Sequence, residues 1–193
     1  IKPDSERTMC TYLGTAGRIN DSDIDPEIIK NSEITFLEGY LWDEGEPKKA
    51  FEKAILNSKK TAMTLSDLFC VERHRQDFLD LIKNKLDIVF ANEQEIMSLL
   101  NIKKIEEAVS FAKELKKEII ITRGSNGSLA ISKGEIVEQD SQNNLKILDL
   151  TGAGDLFAAG YLHGRINSLS IKESLEEGTN LSSKIIEKIG ARL

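Results

Sequence analysis

The sequence predicts an α/β fold, because short β-rich runs alternate with longer amphipathic runs along most of the chain. The runs of strand length are SEITFLEGYL (32–41), KTAMTLSD (60–67), LDIVFAN (86–92) and EIIITRG (118–124). Apolar residues recur three and four positions apart in EPKKAFEKAILNSKK (46–60), ERHRQDFLDLIKNK (72–85), EQEIMSLLN (93–101) and IEEAVSFAKELKK (105–117). Repeated strand–helix–strand units indicate a mostly parallel sheet, because parallel neighbours need a crossover and a helix supplies it.

A hairpin and a further strand are predicted after this alternating region. In SLAISKGEIVEQDS (128–141), two β-rich runs meet at Lys133 and Gly134, which favours a tight turn and an antiparallel edge to the sheet. NLKILDL (144–150) is typical of one more strand, which would lead directly into a glycine-rich turn.

The two ends of the chain differ in pattern. One helix is predicted from Ala153 to about Arg165, and another over SIKESLEEGTNLSSKIIEKIG (170–190), where Gly178 marks a break or a close approach. At the other end, apolar and polar residues alternate in ERTMCTYLGTAGRIN (6–20), and this pattern is lost at its glycines. The segment is therefore predicted to form a strand pair or a flap.

Composition and charge restrict the class of protein. The chain has 193 residues, 40% hydrophobic and 30% charged, so it can bury a real core and is predicted to form one domain. The formal net charge of −6 argues against nucleic acid or anionic membrane as a partner, and no apolar run reaches the ~20 residues of a membrane span. Cys10 and Cys70 lie outside any CxxC pair, so we expect ordinary thiols in a cytoplasmic protein.

The most informative segment begins a predicted helix with Gly152, Ala153 and Gly154, followed at once by Asp155. Glycine is about 1 kcal/mol less favourable than alanine inside a helix, so stability alone does not explain this choice. A helix N-terminus presents unpaired N–H groups and a partial positive charge, and small residues let phosphate oxygens approach them. An acid beside such an anion site is typical of a general base that takes the proton of an attacking hydroxyl, as in a kinase.

A helix cap is the alternative explanation of this turn. Asp149 or Thr151 would cap the helix, and the glycines would ease a tight turn. A capping box, however, needs Glu or Gln three residues after the cap, and Gly154 stands three residues after Thr151. The GxxxxGK[ST] loop of Walker-type kinases does not occur in the sequence.

The segment DLTGAGDLF (149–157) resembles the D-T-x-G-A-G-D-x-F signature of the ribokinase-like carbohydrate kinases, the phosphofructokinase-B (PfkB) family, with Leu150 in place of the common Thr. Two further motifs of that family stand in the right order: N-x-x-E at Asn92 and Glu95, and T-x-G-x-x-G at Thr122, Gly124 and Gly127. More narrowly, three segments are similar to the bacterial adenosine-kinase-like branch: ERTMCTYLGTA (6–16), FLEGYLWD (36–43) and IIEKIGARL (185–193).

This resemblance implies a role for each matched residue. Asp155 is similar to the catalytic base, and the N–H groups of Gly152, Ala153 and Gly154 to the anion hole that holds the transferring phosphoryl group. Glu95, together with Asn92 at the start of the same motif, resembles the residues that order Mg²⁺ and its waters near the phosphates. The open alternative for this last pair is a helix N-cap, in which the carboxylate reaches back to the capping residue.

The resemblance also implies a nucleotide site. Thr122, Gly124 and Gly127 look like the loop that touches the nucleotide phosphates, although a glycine turn after a strand is often only a turn. Asn180 falls where the family lines the adenine pocket, and the alternative is an exposed polar residue on an amphipathic helix.

The resemblance implies a three-layer ribokinase-like (Rossmann-like) α/β fold, with helices on both faces of a mostly parallel sheet. The implied function is an ATP- and Mg²⁺-dependent kinase of a small-molecule sugar or nucleoside, with adenosine the leading acceptor. The alternatives are a ribose- or fructose-type sugar kinase and a catalytically silent nucleotide-binding fragment. The first strands of the family's sheet, most of its lid and its sugar-gripping motif are not matched in this chain.

Residues 1–193 are therefore expected to be the C-terminal two thirds of one kinase domain, with 1–17 as a lid or flap. Such a fragment would expose an unpaired sheet edge, so we expect it to associate with itself, as in a homodimer, or with the unmatched segment. We also expect it to bind ATP weakly and to transfer no phosphate by itself.

Overall fold

The computed structural model describes residues 1–3, 5, 7–42 and 45–193, and it confirms the α/β class. The strands are β1 (Thr35–Glu38), β2 (Thr61–Thr64), β3 (Ile88–Asn92), β4 (Glu118–Thr122), β5 (Ser128–Ser132) and β6 (Glu135–Gln139). The α-helices are α1 (Pro26–Asn31), α2 (Glu46–Asn57), α3 (Leu68–Asn84), α4 (Glu93–Leu100), α5 (Ile105–Glu114), α6 (Ala153–Ile166) and α7 (Ile171–Ile186). Among the described residues, no helix is long and apolar enough to cross a membrane.

The strands form one sheet in the order β1-β2-β3-β4-β5-β6. β1 pairs in parallel with β2, Thr35 opposite Thr61, and β2 pairs in parallel with β3, Ala62 opposite Ile88. Successive residues of a strand face opposite sides of a sheet, and almost every position of β2, β3 and β4 is buried. Both faces of this part of the sheet are therefore covered, as expected where helices connect parallel strands.

The predicted hairpin joins β5 to β6. Lys133 and Gly134 form its turn, and both have positive φ values, 52° and 84°. A two-residue turn with this backbone matches the twist of the two strands, which confirms the turn read from the sequence.

The chain divides into two compact units. The first, which we call the sheet unit, comprises residues 12–121 and 131–135, and the second, the C-terminal unit, comprises residues 1–11, 122–130 and 136–193. In the sheet unit, Val71 and Phe78 of α3 are completely buried. In the C-terminal unit, Tyr161 of α6 and Leu175 of α7 are completely buried.

The strand predicted over residues 144–150 is wrong. This segment has no regular structure, and its backbone bonds to scattered partners instead of a neighbouring strand. Leu148 N–H donates to Ile186 O at the end of α7, and Leu150 N–H donates to Ser5 O. Residues 144–150 have the apolar pattern of a strand, but their backbone partners belong to a helix end and an irregular segment. No β-ladder therefore forms.

The strand pair predicted within residues 6–20 is also wrong where the structure describes it. Residues 7–13 have no regular structure, and Ala16–Arg18 forms a short 3-10 helix. Residue 6 of this segment, residue 4 of the proposed flap and residue 43 of FLEGYLWD lie outside the described residues.

Helices α6 and α7 pack closely because glycines stand at their contact. A Cβ atom on Gly160 would lie 2.7 Å from Glu177 O, and one on Gly178 would lie 2.8 Å from Phe157 O. Gly178 lies inside an unbroken α7, so of the two outcomes predicted for it, the close approach is confirmed. The backbone of each helix therefore contacts the other where a side chain would force them apart.

We expect Gly160→Ala to lower the free energy of unfolding by about 2 kcal/mol, because the added methyl group overlaps the α7 backbone. Urea unfolding monitored by circular dichroism measures the loss. Gly154→Ala in the same helix is the matched control, since in the described part of the chain a Cβ atom there meets nothing beyond its own helix within 4 Å. Equal stability of Gly160→Ala and the parent protein would contradict this account of the helix contact.

Candidate active site

The N-terminus of α6 is built by a left-handed glycine. Gly152 is the N-cap residue with φ 81° and ψ 1°, and no side chain of the described residues caps the helix. Such a backbone is strained for any residue with a Cβ atom, which accounts for Gly152. The first N–H groups of a helix have no partner within it. Here the N–H group of Ala153 donates to Leu150 O at 3.3 Å, outside the helix. The capping alternative for this turn is therefore wrong, since neither Asp149 nor Thr151 caps α6.

Asp149 holds the turn that precedes the helix. Its side chain accepts hydrogen bonds from Thr151 N (2.9 Å), Thr151 Oγ1 (2.6 Å) and Gly190 N (2.9 Å). Asp149 is buried, and the Thr151 hydroxyl, followed by the two amides and the charge of Arg7, lowers the pKa of its carboxyl to about 2. From the sequence, Asp149 was interpreted only as a helix cap. An acid whose side chain accepts from the N–H two residues later is, however, a recognised turn pattern.

Gly154 differs from Gly152 in what its side chain would meet. A Cβ atom on Gly152 would lie 3.0 Å from the Cβ of Ala191, whereas one on Gly154 would have no atom of another described residue within 4 Å, apart from its own helix and chain neighbours. Gly154 is exposed and has helical backbone, so neither packing nor conformation demands glycine there. The bare backbone at the start of α6 is therefore open to the side of the helix N-terminus, where an anion would be stabilised.

A cavity of about 630 Å³ lies within the C-terminal unit and collects most of the predicted nucleotide residues. The predicted residues that border it are Thr122, Gly124, Gly127, Ala153 and Gly154. Asn180 is connected to it through Gln142, another lining residue, whose Nε2 donates to Asn180 Oδ1 at 2.6 Å. Asp155 does not border this cavity but directly follows Gly154 in the first turn of α6, where it is exposed.

The turn after β4 contains two glycines, and the structure explains only one of them by packing. Gly127 has φ 78°, and a Cβ atom there would lie 2.1 Å from Gln139 O, so packing alone requires glycine. Gly124 has φ 57°, but the space around it is open. Arg123 N donates to Gly127 O at 2.8 Å and closes the turn. The open backbone at Gly124 therefore faces the same cavity as the open backbone at Gly154.

Asn92 and Glu95, which belong to the sheet unit, form a capping box at the start of α4. Asn92 Oδ1 accepts from Glu95 N (2.8 Å), while Glu95 Oε2 accepts from Asn92 N (2.9 Å) and Oε1 accepts from Asn92 Nδ2 (2.7 Å). The capping alternative is thus confirmed, and the metal role of Glu95 stays a prediction. Within the described residues, no group of three or more His, Cys, Asp or Glu side chains is placed to hold a metal ion.

Burial raises the pKa of the Glu95 carboxyl. The side chain is 6% exposed, and desolvation raises the pKa of its carboxyl from 4.5 to about 7, against the lowering effect of the Asn92 N–H. The negative charge of Asp67 raises it further. Glu95 can therefore change its charge near neutral pH.

We expect the free energy of unfolding to fall as the pH rises from about 4.5 to about 7, because the folded state keeps the Glu95 proton that the unfolded state has lost. The difference between the two pKa values corresponds to a loss of about 3 kcal/mol in the free energy of unfolding. Above about pH 7 this loss no longer grows. In Glu95→Gln this component of the pH dependence should disappear. Urea titrations without metal at pH 5 and pH 8 measure it, and identical pH dependence in both proteins would contradict the raised pKa.

Two residues that border the cavity, Ser128 and Gln142, were not found from the sequence. Ser128 and Gln142 carry no motif signal, since isolated polar residues after a strand or in a loop are ordinary.

Comparisons with known proteins agree with the fold and identify the family. The sequence profile described as pfkB family carbohydrate kinase matches residues 1–193. The structure of an adenosine kinase from Sinorhizobium meliloti is 34% identical, with a TM-score of 0.87 over 92% of this chain and 56% of that chain. An uncharacterized sugar kinase of Archaeoglobus fulgidus is 27% identical over 192 residues, which cover 100% of this chain and 76% of that protein.

A more distant structure shows the same fold with ligands present. An E. coli protein crystallised with ATP and Mg²⁺ is 21% identical, with a TM-score of 0.80 over 91% of this chain and 59% of that chain. This chain thus spans little more than half the length of both solved structures and about three quarters of the archaeal sugar kinase.

Proposed function

Because the chain belongs to the pfkB family of carbohydrate kinases, we propose that it carries the nucleotide-binding and catalytic part of an ATP-dependent kinase. The reaction transfers the terminal phosphoryl group of ATP to a hydroxymethyl group of a sugar or nucleoside. The observation that carries the proposal is the bare backbone of Gly154, which has no packing reason, beside the exposed carboxylate of Asp155. An open anion site next to a general base is what phosphoryl transfer to an alcohol requires.

In this mechanism the groups at the start of α6 have different roles. Asp155 takes the proton from the acceptor hydroxyl, while the oxygen of that hydroxyl forms a bond to the terminal phosphorus of ATP. The N–H groups of Gly152, Ala153 and Gly154 hold the oxygens of the transferring group, whose bond to ADP breaks. Ala153 N exchanges its bond to Leu150 O for this contact. Asp149 keeps the turn in place through its bonds to Thr151 and Gly190, so the N–H groups are preorganised.

The nucleotide is assigned to the cavity of the C-terminal unit. Thr122 and Gly124 lie along the phosphates, and Asn180, held by Gln142, contacts the adenine base. Gly127 acts through the shape of the turn, because a side chain there would overlap the backbone at Gln139. The open space at Gly154, at the positive N-terminus of α6, supports an anionic ligand at this end of the cavity.

Mg²⁺ neutralises charge on the phosphates when it is bound. Glu95 is the residue assigned to its hydration shell, and its carboxylate already accepts two bonds from Asn92. It would therefore act through water, as suits a cation that keeps much of its hydration shell.

Adenosine is the proposed acceptor. The support is the similarity, at 34% identity, to the Sinorhizobium adenosine kinase, together with the segments that resemble this branch. A sugar acceptor is the second candidate, supported by the Archaeoglobus sugar kinase that matches the whole of this chain. We further propose a cytoplasmic protein in which residues 1–17 belong to a flap over the acceptor.

The test is phosphoryl transfer from ATP to a panel of nucleosides and sugars, measured as acceptor-dependent ADP formation with the full-length protein and with this chain. Formation of AMP from adenosine, well above that from ribose or fructose, supports the proposal. Preference for a free sugar replaces adenosine with the second candidate. ATP binding without transfer to any acceptor by the full-length protein establishes the silent alternative.

A further inference from the structure

Helix α7 presents a row of hydroxyl groups to the cavity of the C-terminal unit. Thr179, Ser182 and Ser183 border this cavity, and so does Ile186. Positions three, four and seven residues apart lie on one face of a helix, so these side chains form one wall of the cavity. Two of the hydroxyl residues, Thr179 and Ser183, are more than nine-tenths buried, with 8% and 5% of their surface exposed.

The hydroxyl of Ser183 is unpaired. A serine inside a helix can bond to the carbonyl group four residues earlier, and Ser174 of α7 does so, with its Oγ donating to Ser170 O at 2.8 Å. Among the described residues, the Ser183 hydroxyl has neither this bond nor any other hydrogen-bond partner. Buried polar groups in native proteins are rarely unpaired, so we expect a partner from outside the chain.

The hydroxyl of Ser183 is also accessible. In the described part of the chain, the unpaired side-chain atoms with almost no accessible surface are Arg75 Nε, Arg123 Nε and Ser128 Oγ. Ser183 Oγ is not one of them, so the exposed 5% of Ser183 includes its hydroxyl oxygen. Because Ser183 borders the cavity, a ligand bound there can reach this oxygen.

The character of the cavity walls indicates which part of a ligand Ser183 meets. Among the described residues that border the cavity, none carries a charged side chain. An anionic group is therefore stabilised by backbone, at the N-terminus of α6 beside Gly154. The α7 wall combines its hydroxyl groups with Ile186, and Leu145 and Ile147 border the same cavity. A few neutral polar groups among apolar side chains suit a neutral, partly apolar ligand group, such as a base with its ribose.

We propose that Ser183 Oγ forms a hydrogen bond with the nucleoside part of the bound nucleotide. A hydroxyl group both donates and accepts, so it can pair with a polar atom of either the base or the ribose. Asn180, which is assigned to the base, lies three residues earlier on the same helix, a rise of about 5 Å. The inference rests on the proposed function, because it takes the ligand of the cavity to be ATP. It adds a binding residue that none of the recognised motifs contains.

The test compares the binding of ATP and of inorganic tripolyphosphate to the parent protein and to Ser183→Ala by calorimetry. We expect the Kd for ATP to rise about fivefold, the usual size for a hydrogen bond to a neutral group, and the Kd for tripolyphosphate to change less than twofold. The unfolding temperature without ligand should stay the same or rise, because the variant loses no bond within the protein and alanine is the better helix former.

Ser174→Ala is the matched control in the same helix. Ser174 is completely buried, its Oγ has a partner in Ser170 O, and it does not border the cavity. This variant should lower the unfolding temperature and leave the Kd for ATP unchanged, the opposite pattern to Ser183→Ala.

Four results would overturn the inference. An unchanged Kd for ATP in Ser183→Ala would overturn it while the proposed function stands. Equal weakening of ATP and tripolyphosphate would place the contact at the phosphates instead of the nucleoside. A lower unfolding temperature of unliganded Ser183→Ala would make the hydroxyl a structural group. Absence of ATP binding to the parent protein would overturn the proposed function together with the inference.

Discussion

Replacement of Asp155 by asparagine is expected to lower kcat by about 100-fold or more and to change the Kd for ATP little. The amide cannot accept the proton of the acceptor hydroxyl, whereas the groups that would hold the phosphates belong to the backbone and remain in place. Asp155 is exposed, so its replacement should leave the unfolding temperature nearly unchanged. Steady-state ADP formation by the full-length protein and calorimetry with ATP measure the two quantities.

Asp149→Asn is the matched control for this experiment. Asp149 is buried and accepts three hydrogen bonds, and its lowered pKa means that the carboxylate stabilises the fold above about pH 4, with the effect lost as the pH falls towards 2. Its replacement should therefore lower the unfolding temperature at pH 7. If Asp155→Asn keeps a near-normal kcat, the base has been assigned to the wrong residue.

Gly154→Val is expected to raise the Kd for ATP at least tenfold and to lower kcat/KM in parallel. The branched side chain would occupy the open space at the N-terminus of α6 that the phosphate oxygens need. Among the residues that the structure describes, its Cβ meets nothing beyond its own helix within 4 Å, and valine is no worse a helix former than glycine. The unfolding temperature should therefore not fall. Calorimetry and thermal unfolding of the same preparation separate the two effects.

Gly154→Ala provides a graded control, since its smaller side chain should weaken ATP binding less than valine does. Parent-like ATP binding and turnover in Gly154→Val would mean that the glycine only shapes a helix start. A large loss of stability would mean that the space at this position is needed by the protein itself.

Local sequence patterns predicted the regular elements between residues 32 and 139, because each has a clear period and clear end signals. The short helix α1 was missed, although Asp25 caps it and Pro26 occupies its first turn. Six residues are too few for a helical period to stand out. The capping box at Asn92 and Glu95 was also visible in the sequence as an alternative, since it needs only residues three positions apart.

The candidate site was predicted in part. Thr122, Gly124, Gly127, Ala153 and Gly154 were named from motifs, and the structure places all of them around one cavity. The sequence could not distinguish glycines that the fold requires from those that it leaves free. A Cβ atom on Gly127 would collide with the backbone at Gln139, whereas one on Gly154 would collide with no other described residue, and the two glycines look alike in a motif.

By itself, the sequence determined the α/β alternation, the hairpin turn and the glycine–acid start of α6, because these follow from backbone preferences over a few neighbouring residues. Only the tertiary structure decided that residues 144–150 form no strand, that Asp149 bonds to Gly190 and that the Ser128 hydroxyl is left unpaired. Each of these depends on which groups from distant parts of the chain come within hydrogen-bond range. A strand needs a neighbour, a carboxylate needs donors and a hydroxyl needs a partner, and such partners are set by packing rather than by local pattern.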